Sequence, residues 1–144
     1  MTAEGMLDTN ILILRSRIDP RDLPDRAAIS AVALGELAAG VHLVRADAPD
    51  ADVVRAERIA LLQQAEAEFD PVPYDAAAAR MYGRMCAAVA RLGRIPRARA
   101  ADLMIAATAA TEALPLFTTN PDDYRGLDAL VDIVAVPRPA SDRR

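Results

Sequence analysis

Apolar and polar positions divide the chain into short extended runs and longer helical stretches. Gly5-Met6-Leu7 is an apolar run, Asp8-Thr9-Asn10 sets an acid, a hydroxyl and an amide in a row, and Ile11-Leu12-Ile13-Leu14 turns apolar at once. That order predicts a buried strand ending in a polar turn that opens a short helix, Ile11 to Arg17. Asp19 to Arg26 holds two prolines and reads as a connecting loop. Ala27 to Ser30 is a weak second strand, and Ser30 suits the N-cap of a helix over Ala31 to Val41, where Val32, Leu37 and Val41 fall near helical spacing. Asp47 to Asp52 is a loop. Val53 to Phe69 mixes Arg and Glu with Ile59, Leu61 and Leu62, the pattern of an amphipathic surface helix.

The second half repeats the alternation. Phe69 to Tyr74 is short, extended and bounded by prolines. Asp75 caps an Ala-rich helix, Ala76 to Leu92, which Gly93 closes. A further helix over Ala98 to Ala113 leads to a strand at Pro115 to Thr118, a polar turn at Asn120 to Gly126 and a last strand at Leu130 to Val136. Strands alternating with helices predict an α/β fold, a central parallel sheet flanked by helices on both faces. One domain over 1–137, followed by a flexible tail at 138–144, is the expected organisation.

Composition narrows the chemistry. Of 144 residues, 53% are hydrophobic and only 3% aromatic, so the core must be built from Ala, Leu, Val and Ile. Charges break every apolar run before membrane-spanning length and no N-terminal signal pattern appears, which predicts a cytoplasmic protein with no membrane partner. The lone Cys86 excludes an intramolecular disulfide and a Cys-based zinc site, and its apolar neighbours suggest a buried structural thiol. All 17 basic residues are Arg. Without Lys, a Walker-type phosphate loop, a receiver-domain site and a haloacid-dehalogenase site are impossible. The single His42, in an apolar helix, reads as a satisfied structural histidine, and its solitude excludes a two-histidine ribonuclease mechanism. A net charge of −4 argues against a general nucleic-acid binder, although local Arg clusters still hold phosphates.

The acids then matter more. Asp8 falls at the carboxyl end of the first strand, the edge where open α/β sheets bind ligands. Taken alone, Asp8 and Asn10 equally well shape the turn and cap a helix. Asp102 stands early in an apolar helix, where burial demands a hydrogen bond, a partner such as Arg97 or Arg99, or a metal. Glu36 lies at the edge of its helix's apolar stripe, and Asp122 and Asp123 follow a strand. Each acid is at a strand's carboxyl end or near the start of a flanking helix. Carboxylates converging there repel one another unless a cation neutralises them, and all-oxygen donors suit Mg²⁺ or Mn²⁺. Such a site fits metal-assisted phosphodiester hydrolysis.

Four short motifs carry a resemblance: Leu7-Asp8-Thr9-Asn10, Leu34-Gly35-Glu36-Leu37, Asp102 with Ile105-Ala106-Ala107-Thr108, and Thr118-x-Asn120-x-x-Asp123-Tyr124. In this order, from Leu7 to about Val136, they resemble the PIN-domain ribonucleases, specifically the VapC-type toxins of bacterial toxin–antitoxin pairs. The resemblance implies a metal-dependent endoribonuclease. Asp8 and Asp102 would be the principal Mg²⁺ ligands, Glu36 would complete the acidic cluster, and Thr9 and Thr118 would orient ligands or water. Asn120 stands where some members have Asp, so a second metal would bind more weakly, and Asp123 is the alternative source of that carboxylate. A cognate VapB-type antitoxin and a homodimer are implied as well. The substrate would be a transfer, ribosomal or messenger RNA, with Arg15, Arg17, Arg94, Arg97 and Arg99 as candidate phosphate contacts or, equally, partners of local acids. A non-catalytic PIN-like module that binds RNA or protein is the rival reading. A flap-endonuclease-like DNA enzyme ranks lower, because the chain lacks room for DNA-holding additions.

Overall fold

The structure, a computed structural model, describes residues 3–140; residues 1–2 of the expected domain and 141–144 of the expected tail lie outside the described residues. Four parallel strands, β1 (Glu4–Leu7), β2 (Arg26–Ala28), β3 (Leu116–Thr118) and β4 (Ile133–Ala135), pair in the order β2-β1-β3-β4. The helices are α1 (Thr9–Leu14), α2 (Ala31–His42), α3 (Ala51–Glu68), α4 (Ala76–Arg91) and α5 (Ala100–Thr111). The chain leaves β1 toward β2 and later leaves β3 toward β4, in the opposite direction. Right-handed crossovers that reverse direction pass over opposite faces of a sheet, and the crevice between β1 and β3 is the switch point at which such sheets take ligands.

The sheet is short because only a few residues per strand are apolar throughout. Met6, Leu7 and Leu116 are fully buried. Leu7 pairs with Phe117 and Thr118 with Ala135. Gly5 is required by close approach, since a Cβ there would clash with Phe117 Cε1. Side-chain caps fix three helix starts: Asp8 Oδ1 accepts from the Ile11 amide at 3.0 Å, Ser30 Oγ from Ala33 at 3.0 Å and Asp75 Oδ1 from Ala78 at 2.9 Å. Helix α5 has buried residues on every side, from Leu103 to Ala109, because α4 and α2 both pack against it. Its apolar circumference follows from that central position. Helix α3 buries only Ala51 and Ala65 and is the expected surface helix.

Several boundaries differ from the expectation. The helix read as Ile11 to Arg17 begins at Thr9, because Asp8 caps it, and its last turn tightens to a 3₁₀ turn at Arg15–Arg17. The second strand ends at Ala28, and Ser30 instead bridges singly to Val72, all that remains of a strand over Phe69 to Tyr74. The Pro96–Arg99 stretch is a 3₁₀ turn preceding α5, with Pro96 in its first turn, where no amide donor is needed. The last strand spans Ile133–Ala135 only; the Leu130 and Val131 amides donate to the Leu127 carbonyl as a turn. His42 is exposed in the last turn of α2, and Cys86 is half-buried, so neither is the buried structural residue expected. Residues 138–140 do not hang free: the Arg17 guanidinium donates to the Ala140 carbonyl.

Candidate metal centre

Capping, crossover and turn deliver four carboxylates to the carboxyl edge of the sheet. Asp8 ends β1 and is 3% exposed. Its Oδ1 accepts the α1 amide, and its Oδ2 accepts from the Tyr124 hydroxyl at 3.4 Å. Asp8 therefore caps α1 through Oδ1 alone. Thr9 Oγ1 donates to Glu36 Oε1 at 2.5 Å, which ties exposed Glu36, midway along α2, to the start of α1. Asp102 is in the first turn of α5 and half-buried, less buried than its apolar helix suggested. At the end of β3, Thr118 Oγ1 accepts the Asn120 amide at 3.0 Å and shapes the bend into the Pro121–Tyr124 3₁₀ turn. That turn supplies Asp123, ion-paired to Arg99.

The electrostatics confirm one shared neighbourhood. Burial pushes the Asp8 carboxyl up, hydrogen bonds from Thr118, Ile11 and Tyr124 pull it back, and the Asp123 charge adds to the rise. Asp102 is pushed up to about 6, first by burial and then by the charges of Asp123, Glu36 and Asp8, against a smaller opposing effect of Arg99. The Tyr124 hydroxyl is held far above its ordinary value by burial and by Asp8, Asp102 and Asp123, so it stays protonated and can donate. The Asp123 charge reaches both Asp8 and Asp102. The Asn120 carbonyl instead accepts from Arg138 Nη1 at 3.4 Å.

The five candidate phosphate contacts fare unequally. Arg15 donates to Glu68 Oε2 at 2.7 Å and lies over the Phe69 ring. Arg17 is engaged by Ala140, Arg94 donates to the Asp122 carbonyl at 2.7 Å, and Arg99 is engaged by Asp123. Arg97 is exposed and makes no side-chain hydrogen bond or ion pair among the described residues. Sequence reasoning missed two residues here. Tyr124 was visible as the last position of the Thr118-to-Tyr124 motif, where a buried phenol needs an acceptor. Arg138 had no local signal, because only the β3–β4 pairing brings it beside Asn120.

The donor set is all oxygen and strongly negative, which is the chemistry of a hard divalent cation. As they lie, no three of the acids among the described residues stand close enough to enclose one ion, since Glu36 is drawn to Thr9 and Asp123 to Arg99. The fit is one of charge and donor type, and the raised Asp102 carboxyl expresses it.

This fold and edge define a class. Residues 5–130 match the PIN domain, and the chain belongs to that family. Within it, the chain is a homologue of the VapC ribonucleases: it is 40% identical over 139 residues to Ribonuclease VapC5 of Mycobacterium tuberculosis (strain ATCC 25618 / H37Rv), a match covering 93% of this chain and 96% of that one. The crystal structure of VapBC-5, a toxin–antitoxin system member from the same organism, superposes with a TM-score of 0.77 at 39% identity, covering 93% of this chain and 99% of that chain. DNA-bound VapBC from Salmonella typhimurium superposes with a TM-score of 0.64 at 25% identity, covering 92% and 97%. The family and fold expected from the four motifs are thus those found. No helix among the described residues is long and apolar enough to cross a membrane.

Proposed function

We propose that this VapC homologue is an endoribonuclease toxin that hydrolyses RNA phosphodiester bonds with Mg²⁺ or Mn²⁺ at the β1–β3 edge, restrained by a VapB-type antitoxin. The observation that carries this reading is the convergence of Asp8, Glu36, Asp102 and Asp123 from four separate elements. Asp8 and Asp102 would hold the cation, and Glu36 and Asp123 would complete its negative surround. When bound, the cation supplies charge neutralisation at the phosphate under attack and a lowered pKa for bound water.

The chain's own residues prepare that site. The Ile11 amide fixes Oδ1 of Asp8, and the Tyr124 hydroxyl makes a long contact of 3.4 Å to its Oδ2. Thr9 orients Glu36, and Arg99 orients Asp123. Asn120 in place of an acid lowers the negative charge and favours one strongly held ion over two. The antitoxin partner is supported by two solved relatives, VapBC-5 of Mycobacterium tuberculosis and the DNA-bound VapBC of Salmonella typhimurium. A homodimer in solution belongs to the same reading.

The test is incubation of purified chain with total cellular RNA, with Mn²⁺ or with EDTA, beside Asp8→Asn and Asp102→Asn. Discrete fragments that need the metal and vanish in both variants are expected, and mapping their ends names the target. Folded protein that cuts no RNA with either metal would leave the non-catalytic module as the account.

A further inference from the structure

Strand β4 carries the chain past the acid cluster. The Val136 amide donates to the Thr118 carbonyl at 2.8 Å, which extends the Thr118–Ala135 pairing, so position 138 falls beside position 120. There Arg138 donates to Asn120 Oδ1, and two residues on the Arg17 guanidinium holds the Ala140 carbonyl. Backbone pairing on one side and a side-chain anchor on the other fix the root of Arg138 at the mouth of the site.

The charge state of that contact is its informative feature. A carboxylate at position 120 would neutralise Arg138. The amide oxygen of Asn120 is uncharged and accepts at 3.4 Å, a long contact that does not itself compensate the guanidinium charge. Nearby cations are committed otherwise: Arg99 to Asp123, Arg94 to the Asp122 carbonyl and Arg125 to the Asp122 carboxylate at 3.3 Å. Among the described residues this exposed guanidinium has one weak partner, and it presents most of its N–H donors in the fork geometry that matches phosphate.

We propose that Arg138 is a substrate-binding residue that grips a backbone phosphate of the RNA strand beside the bond being cut, at the Asn120 end of the site. The inference rests on the ribonuclease reading. It also explains what an uncharged residue at position 120 does: it leaves Arg138 free for the strand instead of locking it in an ion pair.

The experiment is fluorescence anisotropy of a labelled single-stranded RNA oligonucleotide, in EDTA and over a range of salt concentrations. The full-length parent is compared with Arg138→Gln, Arg138→Lys and Arg45→Gln, the last removing an equal charge beyond the far end of α2. Arg138→Gln is expected to weaken binding about tenfold near ~0.1 M salt and to reduce the salt slope by about one phosphate contact, whereas Arg138→Lys keeps most of the slope. In Mn²⁺-dependent cleavage, KM should rise by a similar factor with kcat within about twofold. Binding and slope indistinguishable from Arg45→Gln would overturn the assignment. A parent that binds RNA in EDTA but cuts nothing in Mn²⁺ would overturn the ribonuclease reading, while anisotropy still decides the role of Arg138 in binding.

Discussion

Replacing Asp102 by Asn should stabilise the metal-free protein at neutral pH while destroying the metal site. In the folded chain this carboxyl is pushed from an ordinary 3.8 to about 6 by burial and three neighbouring carboxylates. A raised carboxyl binds its proton more tightly when folded than when unfolded. Its ionisation therefore opposes folding, with no cost below about pH 3.8 and the full cost above about pH 6. The two values differ by roughly two powers of ten in proton affinity, or about 3 kcal/mol at ~1.4 kcal/mol for each. Asp102 is half-buried, so solvent screening trims the expected gain to about 1–3 kcal/mol, a rise in Tm of roughly 3–10 °C for a domain of this size. Thermal denaturation in EDTA at pH 7.5 reads it directly. At pH 4.5 only about a third of the gain should remain, because most of the cost has been titrated away. Mn²⁺ should then raise the parent's midpoint and leave that of Asp102→Asn unmoved, since only a ligand bound to the folded state shifts it. A variant no more stable than its parent at pH 7.5, or a gap that fails to shrink on acidification, would refute the electrostatic reasoning.

Further substitutions test the supports of the site. Gly5→Ala should cost about 1–3 kcal/mol or more in urea denaturation, because the new methyl meets the Phe117 ring between two central strands. Thr119→Val should leave the fold unchanged or stabilise it by about 1 kcal/mol, as the buried Thr119 hydroxyl has no partner among the described residues; a loss of stability would reveal one. Tyr124→Phe should keep the protein folded and weaken Mn²⁺ binding only about two- to threefold, because the Asp8 carboxylate loses one long contact at 3.4 Å. Calorimetric titration checks this, and unchanged affinity would make Tyr124 a packing residue only.

The parts of this architecture legible in the sequence were those written locally. Asp8, Ser30 and Asp75 marked helix starts because a short polar side chain before an apolar run has one economical use, and the structure places all three as caps. Asp8 and Asp102 were legible because each stood at an element boundary in an otherwise apolar context, and Glu36 because it was the one acid within an apolar helix. The remainder depended on contacts between distant segments. Val72 reads as strand, but its only bridge partner is Ser30, so tertiary pairing shortened that element to a single residue. Burial of Asp102 was overestimated because its helix is apolar all round, whereas its first turn opens toward the site. The arginines looked alike in sequence, and only the fold distinguishes Arg15, stacked on Phe69 and paired with Glu68, from Arg97, which has no side-chain partner among the described residues. Arg138 was invisible for the same reason: its partner lies eighteen residues away across a strand pair.

The central claim is that the acids at the β1–β3 edge form one cation site whose occupancy governs RNA cleavage. The most direct measurement is a Mn²⁺ titration followed by electron paramagnetic resonance, with the single-turnover cleavage rate of an RNA oligonucleotide recorded on the same samples. Occupancy and rate should rise together with a shared midpoint, and both should be lost in Asp8→Asn although the variant remains folded. Cleavage that persists in EDTA or in Asp8→Asn, or Mn²⁺ binding unaffected by that substitution, would contradict the account.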